Sequence, residues 1–104
     1  MFAITQAAAE QIRAAIEQEE NKELLLRVAA KVTEDGSIEY GMGLDEPKED
    51  DTRLQQYDVE ILIDPKSVDL LDEATMDYVE LEPGQFRFIF LNPMDPHYVP
   101  PKKD

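Results

Sequence analysis

The apolar residues of this chain recur with two different periods. Ala8, Ile12, Ala15 and Ile16 follow the i, i+4, i+7, i+8 spacing of one helical stripe, with Glu10, Arg13 and Glu17 outside it. Thr5 stands at an N-cap position, and Ala, Gln and Glu dominate the next dozen residues, which predicts a helix from Gln6 to about Glu19 that ends near Glu20-Asn21. The period then changes to two. Leu26, Val28, Ala30 and Val32 alternate with Leu25, Arg27, Ala29 and Lys31. Beyond Glu34-Asp35-Gly36-Ser37, Ile38, Tyr40, Met42 and Leu44 alternate with Ser37, Glu39, Gly41 and Gly43. Two alternating runs around an Asp-Gly pair predict a β-hairpin. Gly41 and Gly43 on one face suggest a bulge or a close backbone approach.

The pattern continues past a charged loop at 45–51. Strands are expected over Thr52–Tyr57 and Val59–Ile63, the second with Val59, Ile61 and Ile63 inward. Asp64-Pro65 reads as an N-cap followed by proline at the first helical position, opening a short helix through Val68, Leu70 and Leu71. A strand at Met76–Leu81, a Pro83-Gly84 turn and a last strand with Phe86, Phe88 and Phe90 as a core stripe complete the elements. Pro93, Pro96, Pro100 and Pro101 predict an irregular or extended tail. No internal repeat or linker interrupts the chain. The expectation is one α+β domain, mainly β with two helices, over residues 1–93, followed by a Pro-rich tail at 94–104.

Composition narrows the chemistry. A length of 104 residues fits one domain. With no cysteine, disulfides, thiolate nucleophiles, cysteine-ligated zinc and all-cysteine iron–sulfur ligation are excluded. One histidine cannot build a multi-histidine metal centre within a single chain. The 24 acids against 10 bases make nucleic acid and anionic membranes poor partners, because both are bound chiefly through Lys and Arg. No apolar run approaches the roughly 20 residues of a membrane span, and the N-terminus lacks the pattern of a secretory signal. A soluble, cytoplasmic protein is expected. Seventeen of the acids and only three bases lie between residues 32 and 83, so the imbalance sits in the middle of the chain.

Candidate chemistry is sparse. Asp45, Glu46, Glu49, Asp50 and Asp51 offer oxygen donors to a hard cation, but without the spacing of an EF-hand. They are expected as a solvated acidic surface, suited to a protein partner with a basic face. His97, in Asp95-Pro96-His97-Tyr98, has the chemistry of a general base or metal ligand, but no serine, threonine or acid pattern beside it marks a catalytic pair. No Gly-rich phosphate loop, G-x-S-x-G or H-E-x-x-H is present. No catalytic residue is assigned, and the chain is not expected to be an enzyme.

Several runs together resemble a known family. They are Leu26-Arg27-Val28 leading into a hairpin that ends Tyr40-Gly41-Met42, the stretch Val59-Glu60-Ile61-Leu62-Ile63-Asp64-Pro65-Lys66-Ser67, then Met76-Asp77-Tyr78-Val79, and Phe88 through Asn92-Pro93. In order and spacing, from about Ile4 to Pro93, they are similar to the A-type iron–sulfur carriers, the IscA-, SufA- and HesB-like proteins. The resemblance implies a compact HesB-like fold of antiparallel and mixed strands with two helices, and a homodimer or higher assembly. The family's ligands are three cysteines, one in the hairpin turn and two near the C-terminus. Asp35, Val99 and Pro101 stand at those positions here, so the resemblance carries a fold and no metal or cofactor assignment. Iron–sulfur clusters depend on soft thiolate donors. Asp35, Asp95, His97 and Tyr98 remain as donors for a weaker iron site.

A cysteine-free member of this kind also resembles A-type-like proteins encoded with dissimilatory sulfite reductase genes in sulfur oxidisers, which implies a link to sulfur metabolism. The function expected is a non-enzymatic accessory or regulatory interaction protein that carries no cluster and no cofactor. The alternative is an iron-binding or iron–sulfur assembly accessory protein with oxygen and nitrogen ligands.

Overall fold

Local chemistry sets the first helix. In the computed structural model, which describes residues 1–96, the Thr5 hydroxyl accepts a hydrogen bond from the Ala8 N–H at 3.2 Å and caps α1 (Gln6–Glu17). The helix stops two residues before the expected Glu19, and Ala15 is exposed, whereas Ala9 is buried beside Ala8 and Ile12. Alanine's small side chain lets the first turns of α1 lie close to the sheet, so burial is centred there and fades toward the last turn.

Among the described residues, seven strands form two sheets. One sheet, ordered β3-β2-β5-β4, contains β2 (Leu25–Val32), β3 (Ile38–Asp45), β4 (Thr52–Gln56) and β5 (Val59–Ile63). In it β2 pairs antiparallel with β3 and parallel with β5, so the sheet is mixed. The other, ordered β1-β6-β7, contains β1 (Ala3–Ile4), β6 (Thr75–Glu82) and β7 (Gln85–Leu91). A 3-10 turn at Pro65–Ser67, capped by Asp64, leads into α2 (Val68–Leu71), as the Asp-Pro pair predicts. One apolar core joins both sheets and both helices, with Ile4, Ile12, Val28, Ile61, Leu71 and Met76 among its members. The fold is the α+β, mainly β arrangement expected.

Several expectations need correction. The strand β1 escapes the pattern because two residues carry no period; it exists through parallel pairing with Thr75 and Met76. Alternation puts Val32 and Met42 inward, but they are 56% and 38% exposed, since each lies near the free edge or end of its strand. Gly41 and Gly43 mark neither a bulge nor a close approach. The β2–β3 register is unbroken from Leu25↔Asp45 to Val32↔Ile38, and nothing lies within 4 Å of a Cβ built at either glycine. The bulge is in β6, between Glu80 and Glu82, next to the turn in which Gly84 adopts φ +78°. The phenylalanine stripe is only partly core. Phe88 and Phe90 are half-buried, while Phe86 is 52% exposed and stacks on Tyr78 near the hairpin tip. Alternation selects a face of the strand but not its depth. Finally, β4 ends at Gln56 because Tyr57 and Asp58 form a tight turn with φ of 50° and 63°.

Polar side chains complete backbone pairing where strands run out. The parallel pairing of β2 with β5 ends at Val28↔Ile63, which leaves the next groups of β2 without a strand. The buried Ser67 hydroxyl takes over: it accepts from the Ala30 N–H at 3.0 Å and donates to the Ala30 carbonyl at 3.2 Å. Gln56 plays the same part between sheets, its amide accepting from the Ile4 N–H and donating to the Phe2 carbonyl, each at 2.8 Å. The buried Asn92 amide donates to the Leu70 carbonyl at 2.7 Å and ties the end of β7 to α2.

Ser67→Ala removes the side chain that serves both Ala30 groups. Leaving buried backbone groups unpaired costs about 1–3 kcal/mol. Urea denaturation of S67A is expected to show a loss of that size with an unchanged slope, whereas Ser37→Ala, at a half-buried residue of the β2–β3 turn, is expected to lose far less.

Candidate functional site

Asp35, which the resemblance sets at a cysteine position, lies in the turn between β2 and β3. Thr33 N–H donates to the Ser37 carbonyl at 2.8 Å, and Gly36, at φ +86°, closes the turn. Asp35 is held within this turn, where its carboxylate accepts from the Ser37 N–H at 3.0 Å and from the Thr33 hydroxyl. A short carboxylate used to shape its own turn is the ordinary Asx arrangement.

A second group of donors forms where β7 ends. Asn92 leaves β7, and the chain turns through Asp95, whose carboxylate accepts from the Tyr40 hydroxyl at 3.4 Å. The Tyr40 ring stacks on Phe90 with centroids 4.5 Å apart and planes within 3°. Burial pushes the Tyr40 phenol above its usual pKa; the Asn92 amide opposes the shift and the Asp95 carboxylate adds to it. The fold thus brings Asp95 to β3, but not into one ligand set with Asp35. Among the described residues, no group of three or more His, Asp or Glu side chains is placed to hold a metal ion. His97, Tyr98, Val99 and Pro101 lie outside the described residues. Tyr40 and Asp95 are hard oxygen donors, suited to iron as an ion rather than to a sulfide-bridged cluster.

The acidic loop divides into two parts. Arg27 projects from the face of β2 opposite the core, and its guanidinium meets Asp51 through two bonds, of 2.6 and 2.7 Å. Its Nε donates to Asp45 at 2.8 Å, and Nη2, which also serves Asp51, donates to the Glu46 carbonyl at 3.2 Å. Asp51 also accepts from the Lys48 N–H at 2.7 Å, and its side chain is only 1% exposed. The Arg27 fork and that N–H hold the Asp51 carboxyl down at about pKa 2, and Asp51 holds the guanidinium above its usual value. The Glu46 N–H and Arg27 lower Asp45. The fully buried Leu62 is the register neighbour of Arg27 and Arg53 on this outer face, where long arginine stems cover apolar surface. Of the five acids in the expected interaction surface, Asp45 and Asp51 are therefore taken up by the arginine, while Glu46, Glu49 and Asp50 are exposed. The only sign of this in the sequence is an arginine set between Leu26 and Val28, in the apolar first half of β2.

Comparison with known proteins bears on the family and the fold. The family described as iron-sulphur cluster biosynthesis matches residues 1–95. The iron-sulfur cluster insertion protein ErpA of Glaesserella parasuis serovar 5 is 41% identical over 90 residues, covering 86% of this chain and 79% of that protein. Its counterpart in Hydrogenovibrio crunogenus is 39% identical over 90 residues, with the same shares of each chain. Among solved structures, IscA with a [2Fe-2S] cluster superposes with a TM-score of 0.73 at 27% identity, over 89% of this chain and 86% of that one. SufA of Escherichia coli gives a TM-score of 0.75 at 24% identity, over 88% and 79%, a likeness of fold. Among the described residues no helix is long and apolar enough to cross a membrane.

The Arg27–Asp51 pair gives a pH signature. The folded-state pKa of Asp51 lies below that of an unfolded aspartate, so the pair stabilises the fold above about pH 4 and stops doing so as pH falls toward 2. Asp51→Asn is expected to lower the thermal midpoint at neutral pH and to flatten its acid limb between pH 4 and 2. Thermal melts of both proteins across that range check this.

Proposed function

The chain belongs to the iron–sulphur cluster biosynthesis family, and on that premise we propose that it is a non-enzymatic accessory protein of iron–sulfur cluster assembly. It works through contact with a protein partner, and any iron it holds is bound by oxygen and nitrogen donors. The observation that carries this reading is similarity to cluster insertion proteins along most of the chain, in a sequence with no cysteine. A protein without thiols cannot supply the ligands of an all-cysteine cluster, so its part in assembly is to bind, recruit or modulate rather than to carry one. Tyr40 and Asp95 are paired in the fold, and Asp35, His97 and Tyr98 are the further donors that the sequence offers. The exposed Glu46, Glu49 and Asp50 favour a partner with a basic face, which they would steer and orient. A role in sulfur metabolism is the narrower form of the same proposal.

Cluster transfer from a cysteine-bearing carrier to an apo recipient protein, followed by absorbance and circular dichroism, tests the reading. Adding this chain in stoichiometric amount is expected to change the transfer rate, with the effect weakening as salt is raised. Comparing an apo ferredoxin with an apo protein of sulfur oxidation as recipient separates the broad role from the narrow one. Unchanged transfer to both, with no complex with carrier or recipient by analytical ultracentrifugation, would contradict the proposal.

A further inference from the structure

The strand β3 is the outer strand of its sheet, and one of its backbone edges receives no hydrogen bond from any described residue. The phase of the β2–β3 pairing shows which groups are left. Thr33 and Ser37 lie opposite each other in the register that continues to Val32↔Ile38, and the Thr33 N–H bonds the Ser37 carbonyl. Alternation along an antiparallel pair then turns the N–H and C=O groups of Glu39, Gly41 and Gly43 toward β2, and those of Ile38, Tyr40, Met42 and Leu44 outward. The far edge of β2 agrees: Ala30, paired with Tyr40, sends both its groups to Ser67, away from β3. Outer strands are commonly protected by shortness, charged side chains (lysine above all), proline or a bulge. The eight residues of β3 include no lysine, proline or bulge, and Glu39 and Asp45 are their only charges. The opposite outer strand, β4, has its end engaged with β1 through Gln56.

The two faces beside this edge differ in chemistry. On the core side Met42 is partly exposed and borders a cavity of about 120 Å³ lined by Ile12, Ala15, Leu26, Leu44 and Phe88. On the outer side the bare Gly41 and Gly43 lie between Glu39 and Asp45, with no side chain within 4 Å to block an approach. The geometry points to β3 as the docking edge for an extended segment of a partner protein in which apolar and basic residues alternate. Such a segment adds a fifth strand to the sheet, sets an apolar side chain at the cavity and sets a basic side chain beside the exposed Glu39. Charge selects this occupant over a second copy of the chain. Pairing β3 with itself would bring together two proteins of formal charge −14, each with its acids concentrated in the segment that contains β3. The inference stands on the sheet edge and not on iron, so it goes beyond the assembly role.

Amide hydrogen exchange measured by NMR, with a synthetic heptapeptide alternating lysine and valine as the probe, tests it. In the free protein the amides of Ile38, Tyr40, Met42 and Leu44 are expected to exchange fast. Saturating peptide is expected to slow them about tenfold or more, and a glutamate–valine peptide is not. Met42→Pro removes one outward N–H and none of the bonds to β2, so it is expected to abolish the protection. Glu39→Lys, at an exposed side chain whose contact with Lys31 is a loose 4.0 Å, is expected to weaken binding without touching the backbone. Equal protection by the glutamate peptide, protection that survives both variants, or none at millimolar peptide would overturn the inference. So would slow exchange in the free protein: if it rises with protein concentration a second copy covers the edge, and if it does not, the chain's own residues 97–104 do. No iron or cluster donor enters the experiment, so its failure is separate from a failure of the assembly role.

Discussion

The backbone of β2 runs through the middle of its sheet and must be hydrogen-bonded along both edges, and much of the architecture is set by how that is done. On one side β3 supplies a register without a break over eight pairs. On the other, β5 pairs for only three residues before Asp64-Pro65 turns the chain into a 3-10 helix. That turn is what delivers Ser67 to Ala30, so the same proline that ends β5 supplies the replacement for it. Gln56 and Asn92 repeat the solution elsewhere, joining β4 to β1 and β7 to α2. Each is a polar side chain whose energetic weight lies in preventing an unpaired buried group. Among the described residues, no buried side-chain nitrogen or oxygen is without a partner.

The outer face of the same strand carries the other organising interaction. Arg27 gathers Asp45, the Glu46 carbonyl and Asp51, and so fixes both ends of a loop that is dense in negative charge. With Lys48 as the only cation of its own, a loop with five carboxylates in seven residues would be held open by their repulsion if Arg27 were not set against it. The arrangement has a cost in exposed charge: Asp45 and Asp51 are neutralised inward, and Glu46, Glu49 and Asp50 remain toward solvent. The surface beside β3 is thus acidic on its outer side and apolar on its core side.

How much of this could be read from the sequence depends on the range over which the cause acts. Thr5, Asp-Gly, Asp64-Pro65 and the alternation in β2 and β5 are local signals, and each predicts the element that forms. The expectations that fail needed distant partners. The two residues of β1 become a strand only beside β6, roughly seventy residues away along the chain. Ala9 and Ala15 are equally apolar, so only the packing of α1 decides which is buried. A pair of glycines reads the same whether it marks a bulge or a bare face. Asp51 looks like part of a solvated run until the fold sets Arg27 against it. At the site, the turn that holds Asp35 is legible from its own residues, but the meeting of Tyr40 with Asp95 depends on β7 returning to β3.

On the reading proposed here, the fold of a cluster-assembly family persists without the thiolate chemistry that its relatives' fold can hold, because side-chain hydrogen bonds and one arginine stabilise it on their own. Anaerobic incubation with iron and sulfide, followed by metal and acid-labile sulfide analysis and a visible spectrum, is the sharpest test. No retained sulfide and no sulfide-to-iron charge-transfer bands are expected, with any bound iron held independently of sulfide. Stoichiometric sulfide with a coloured cluster on the folded chain would contradict it.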